Sequence, residues 1–179
     1  MRELTLEEVQ TLLTEGVNYA RSRGFPNSVA VVDFGGVLRG MLRPEKGRIA
    51  NPDIAFKKAW TAVALHRPSS MVRELMITPD RLGHGLQTTD SRFCIVGGGF
   101  PLFDEAGDII GAVGSSGGPL DVDIESCLVG MRKLGFRTEF ADPIAAKPAA
   151  ASKSDAKGKG KGKADAKPKA AAAKAGRKK

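Results

Sequence analysis

Leu6, Val9, Leu13, Val17 and Ala20 recur at steps of three and four residues, which places one apolar face on a helix near the start of the chain. Thr5 and Glu8 have the T-x-x-E spacing of a capping box, and Gly24 followed by Pro26 ends the helix. The period then changes. Residues 28–33, SVAVVD, are short and valine-rich like a buried strand, Phe34-Gly35-Gly36 supplies a turn, and Val37 to Leu42 reads as the return strand of a hairpin. Asn51-Pro52 predicts the cap and first turn of a second helix to about His66, with Ala55, Ala59 and Ala62 permitting close packing on a sheet. Arg67-Pro68 ends it, and Ser69 or Ser70 caps a shorter helix through Leu75. Residues 77–91 lack periodicity and predict a long loop.

Three strands are expected in quick succession after that loop. Phe93 to Val96 is apolar and β-prone, Gly97-Gly98-Gly99 breaks it, and Phe100 to Phe103 resumes. The turn 104–108, DEAGD, leads to a return strand from Ile109 to Gly114. Residues 115–119 form a glycine-rich connection into a last helix, from about Asp121 to Leu134, with Gly135 at its end. Helix, hairpin, helices, meander and helix together predict an α+β fold with a five-stranded antiparallel sheet and packed helices.

Charge divides the chain in two. The 179 residues carry 28 basic and 20 acidic side chains, a net of +8, but residues 145–179 hold eleven Lys, one Arg and two Asp. That leaves 16 basic and 18 acidic residues in 1–144, a net of −2, so the positive charge belongs to the tail. From Lys147 onward the tail has no aromatic and no β-branched residue, and it is expected to be disordered for want of apolar surface to bury. Residues 1–144 are expected to form one domain and 145–179 a basic extension. The start, MRELTLEEVQ, lacks the basic and apolar regions of a secretory signal, and no apolar run approaches a membrane span, so a cytoplasmic protein without membrane contact is expected. Cys94 and Cys127 have no CxxC or His-spaced pattern and read as buried free thiols.

The stretches 28–38 (SVAVVDFGGVL), 51–62 (NPDIAFKKAWTA), 66–70 (HRPSS) and 97–118 (GGGFPLFDEAGDIIGAVGSSGG), with the acidic start of the last helix, resemble the GlcG/HbpS family, also called the haem-degrading domain family, which occurs too as the C-terminal domain of PduO-type proteins. They span nearly all of residues 4–135. The resemblance implies a PAS- or profilin-like α+β fold, homo-oligomers, and relatives that bind haem or accompany cobalamin or glycolate metabolism. The chain departs from the family's usual pattern in carrying Ser115 after the G-A-x-G strand and His66 ahead of Arg67.

Candidate chemistry is sparse. Imidazole is the commonest haem ligand, and the chain has only His66 and His84; His84, in Gly83-His84-Gly85 of the long loop, is the candidate for haem iron, whereas His66 at a helix end suits capping. Met41, Met71 and Met76 are alternative axial donors that more commonly pack. Lys58 and Thr61 are three apart and share a helix face, Arg67 can pair with a carboxylate, and Asp33 suits a turn cap. Gly98 and Gly99 let a ligand approach the sheet, and Ser115, Ser116 and Gly117 ahead of a helix offer N–H and hydroxyl groups to a carboxylate or phosphate, without the Lys-Ser/Thr of a P-loop or the spacing of a GxGxxG motif. Tight turns and close packing explain the same glycines.

Three functions follow. The leading one is a small-molecule or haem-binding accessory protein whose pocket lies between helix 2, the 77–91 loop and the glycine tracts. The second is an enzyme acting on a small carboxylate metabolite with Lys58, Arg67, His84 or Asp90 as catalytic groups. The third is an oligomer associated with nucleic acid or another polyanion through the non-specific basic tail, residues 147–179.

Overall fold

The computed structural model describes residues 2–77 and 85–141. Nine elements follow one another: α1 (Leu6–Ser22), β1 (Ser28–Asp33), β2 (Leu38–Leu42), α2 (Asn51–Leu65), α3 (Ser69–Ile77), α4 (Gly85–Thr89), β3 (Gly99–Phe103), β4 (Ile109–Ser116) and α5 (Leu120–Lys133). The capping box forms as the spacing requires: Thr5 Oγ1 accepts from the Glu8 amide and the Glu8 carboxylate accepts from the Thr5 amide. Arg2 clasps the same carboxylate through both terminal nitrogens, at 2.7 and 2.8 Å.

The sheet is antiparallel, in the order β2-β1-β4-β3. It has four strands among the described residues, one fewer than expected. The missing strand is Phe93 to Val96, whose backbone is bound by helix side chains instead of a ladder. The Cys94 amide donates to Thr61 Oγ1 at 2.8 Å, and the Val96 carbonyl accepts from Ser69 Oγ at 2.8 Å. Hydroxyls on α2 and α3 thus satisfy the groups that a neighbouring strand would have paired. Strand pairing begins at Gly99, where Ser69 Oγ also accepts the amide, at 3.0 Å.

Alternation sends the two faces of the sheet to different helices. Val29, Val31 and Val113 join Leu12, Leu13, Cys127 and Met131 in a core under α1 and α5, while Val32 and Ala112 pack with Ala59, Ala62 and Val63 of α2. The alanines of α2 bring it down on β4 so closely that a Cβ on Gly114 would strike the Ala55 carbonyl and the Ala59 amide. Two smaller expectations change. Ala50, not Asn51, is the N-cap of α2 and makes no side-chain cap bond, so Asn51 is already helical and turns inward. The loop expected over 77–91 contains the short helix α4. Asp33 does cap the hairpin turn, its Oδ1 accepting from the amides of Gly35 and Val37 at 2.9 Å each.

Candidate functional site

Among the described residues Lys58 is the largest fully buried side chain, 1% exposed. From α2 it runs past the start of β3, where a Cβ on Gly99 would strike the Lys58 carbonyl and one on Gly98 would lie 3.2 Å from Nζ. Its ammonium donates to the Ser115 carbonyl at 2.8 Å and to Asp123 Oδ2, on α5, at 2.6 Å. One side chain therefore joins the helix layers on the two sides of the sheet. Gly98 has φ +103°, a conformation that a side chain would strain, and its carbonyl accepts from the Ser115 amide at 2.8 Å and from Cys127 Sγ at 3.3 Å.

Asp123 carries the rest of this network. Its Oδ1 accepts from Asn27 Nδ2 at 2.8 Å and from the Gly118 amide at 3.1 Å, and Asn27 Nδ2 also donates to Ser115 Oγ at 3.0 Å. The glycine-rich connection expected over 115–119 is shorter than that, because Ser115 and Ser116 belong to β4, and of its amides that of Gly118 is given to the chain's own Asp123 carboxylate. A pair held this deep is compensated by hydrogen bonds on both partners. Near its end, Asn27 Oδ1, Ser28 Oγ and Asn51 Nδ2 are buried without protein partners, and a Cβ on Gly117 would fall within 2.9 Å of both asparagine side chains.

The remaining residues singled out in the sequence do not join this network. Thr61 is buried and faces the 92–94 segment, accepting the Cys94 amide, so it does not share Lys58's surroundings. Arg67 is half-buried and its Nε donates to the Leu65 carbonyl at 3.2 Å, closing the end of α2. Asp90 pairs with Arg92 at 2.6 Å, and the Arg92 side chain holds its carboxyl down to about 2. Arg92 also stacks on Trp60, 4.1 Å from the ring centroid, while Phe93 meets Trp60 edge-on. Ser116 is buried as the strand partner of Ser28. His66 is exposed, with φ 53° at the C-cap of α2. Met41 and Met71 are half-buried. His84 and the Met76 side chain lie outside the described residues, as does the tail from residue 142.

Above the network the surface turns apolar. Val96 is 52% and Leu120 49% exposed, and a Cβ on Gly97 would lie 2.8 Å from Leu120 Cδ1 and 3.3 Å from Ser70 Cβ. The start of α5, the start of α3 and the 96–98 segment therefore make one continuous face. The sequence profile of the haem-degrading HbpS-like proteins matches residues 4–132. The chain belongs to this family. It is 36% identical over 99 residues to an uncharacterized 15.0 kDa protein encoded between dhaT and dhaS in Citrobacter freundii, covering 55% of this chain and 68% of that protein. It is 26% identical over 136 residues to the corrinoid adenosyltransferase PduO of the same organism, covering 75% of this chain but only 40% of that enzyme. Among solved structures, a PduOC–haem complex superposes with a TM-score of 0.71 at 25% identity, over 78% of this chain and all of the other. HbpS superposes at 0.65 with 28% identity, over 75% of this chain and 92% of that one.

Haem needs an apolar face, an axial donor and cations for its propionates. The described residues meet two of these needs at the surface: Val96 and Leu120 offer an apolar face, and half-buried Arg67 lies at the α2–α3 junction just before the Ser69 that holds Val96, whereas the histidine that the sequence favours as axial donor, His84, lies outside the described residues. Among the described residues no cluster of His, Cys, Asp and Glu is placed to hold a free metal ion. No described helix is long and apolar enough to cross a membrane.

Proposed function

We propose that this protein is a haem-binding accessory protein of the HbpS type that takes the porphyrin on the Val96–Leu120 face. The observation that carries this reading is the exposed pair of aliphatic side chains, Val96 on a segment held by the Ser69 hydroxyl and Leu120 at the start of α5, in a fold shared with a protein crystallised as a haem complex. His84 is the proposed axial donor and Arg67 the partner of a propionate. Thr61, Gly98, Gly99, Ser115, Ser116 and Gly117 shape the support beneath the ligand, and Lys58 acts from within it. Catalysis on a small carboxylate is the weaker reading, because Lys58 is already engaged by Asp123 and Ser115, and Asp90 by Arg92. A cytoplasmic homo-oligomer is part of the proposal, and the part played by the basic tail is separable from it.

Titration of the full chain with hemin, followed at the Soret band, tests the reading. The double variant Val96→Asp/Leu120→Asp should lose most of the binding while keeping its melting temperature, since both residues are already half-exposed. His84→Ala should remove most of the Soret shift, and His66→Ala should have little effect. Normal hemin binding by the double aspartate variant would overturn the proposed face.

A further inference from the structure

The concavity beside the β3–β4 turn, on a different part of the surface, shares no residue with the haem face. It has a volume of about 420 Å³ and lies between Phe103, Asp104 and Glu105 on one side and Phe136 and Arg137 beyond α5 on the other, with Arg2 at its rim. We propose that it binds a small zwitterion with an apolar body, of the α-amino-acid class.

Arg137 is the reason. Its guanidinium lies 4.3 Å from the Phe103 ring centroid and 5.1 Å from that of Phe140, and the two rings are themselves 6.4 Å apart. Stacking on two aromatic faces sets the plane of the guanidinium while leaving its N–H edges open. The two cations of the cavity differ in what they have left to offer. Arg2 is held by the Glu8 carboxylate through both terminal nitrogens, whereas no described carboxylate pairs with Arg137. An oriented guanidinium with free edges is the fork that an incoming carboxylate fills bidentately.

The acidic side of the cavity makes the same distinction. Asp104 Oδ1 is engaged by the turn amides of Ala106 and Asp108, at 3.1 and 2.8 Å. Glu105 is exposed and has no ion pair among the described residues, which leaves it to meet an ammonium. Phe103 and Phe136 offer apolar surface between the charges. A simple anion would be repelled by Glu105 and a simple cation by Arg137, so the cavity selects a molecule that carries both charges.

Ligand-observed NMR and calorimetry on the full chain, with L-phenylalanine, 3-phenylpropionate and phenethylamine as probes, test this site. Phenylalanine should bind with a Kd on the order of 1 mM, as expected for a ligand of its size, and each single-charge analogue several-fold more weakly. Arg137→Met should weaken phenylalanine binding about tenfold. Arg137→Lys, which keeps the charge but loses the fork, should still fall short of the native protein, and it carries the test should the methionine variant melt early. Glu105→Gln should bring phenylalanine and phenylpropionate to near parity. Absence of phenylalanine binding, or binding that both Arg137 variants leave intact, would overturn the proposal.

Discussion

The Lys58 ammonium and the Asp123 carboxylate meet at 2.6 Å with 1% and 7% of their side chains exposed, and they come from helices on opposite sides of the sheet. Removing either partner strands the other charge in the interior, at a cost of about 3–5 kcal/mol. Lys58→Met and Asp123→Leu should each be severely destabilised by chemical denaturation. The double variant should lose clearly less than the sum, with a coupling of about 2 kcal/mol or more. Additive losses would mean that the two side chains do not act as a pair.

Cys127 and Cys94 should differ in reactivity. Burial pushes the Cys127 thiol far above its ordinary range, its hydrogen bond goes to the Gly98 carbonyl, and Cys94 is half-buried. Maleimide labelling followed by mass spectrometry should add one group to the native protein, on Cys94, and the second only at the rate of unfolding. Equal rates at both thiols would contradict the packing of α5 against β3 and β4.

The helix α1 terminus carries a pH dependence with a definite sign. The Arg2 side chain, with help from the Thr5 amide and against the opposing effect of burial, holds the Glu8 carboxyl below its ordinary value. A group depressed in the folded state contributes stability above its unfolded pKa and loses that contribution as pH falls through the folded value. The native protein should therefore lose stability on acidification below about pH 4.5, and Glu8→Gln should flatten that part of the profile at a cost of about 1 kcal/mol at neutral pH. An unchanged acid limb in Glu8→Gln would assign the effect elsewhere.

The basic extension calls for a separate measurement, because its charge is a property of composition alone. Eleven Lys and one Arg against two Asp in residues 145–179 can neutralise phosphates without reading bases. Full-length protein should bind duplex DNA irrespective of sequence and lose affinity steeply with salt, while protein truncated after residue 144 should not bind. Binding that survives truncation would move the site onto the domain.

Local signals were legible and distant partners were not. The capping box at Thr5 and Glu8 and the bounds of β1 and α1 depend on neighbours in sequence, so they could be read directly. The apolar run at Phe93 to Val96 had the composition of a strand, but the Thr61 and Ser69 hydroxyls that claim its backbone stand about thirty residues away. Lys58 stood out in the sequence, whereas Asn27 and Asp123 became partners to it only through folding. The one available hint was the presence of acids at the start of α5 beside a glycine-rich turn, which suited a helix dipole equally well. Arg137 gave no signal, since its significance lies in Phe103 and Phe140 lying beneath it.

The segment carrying Val96 behaves like a shelf screwed to two posts. Its fastenings are the Thr61 and Ser69 hydroxyls, and the strand ladder begins only beyond it, at Gly99. Wall and shelf can then be altered independently: lengthening or recomposing residues 92–96 changes what the protein presents to a ligand without shifting the register of any strand. Relatives of this fold can diverge in what they hold while the sheet behind the shelf stays the same.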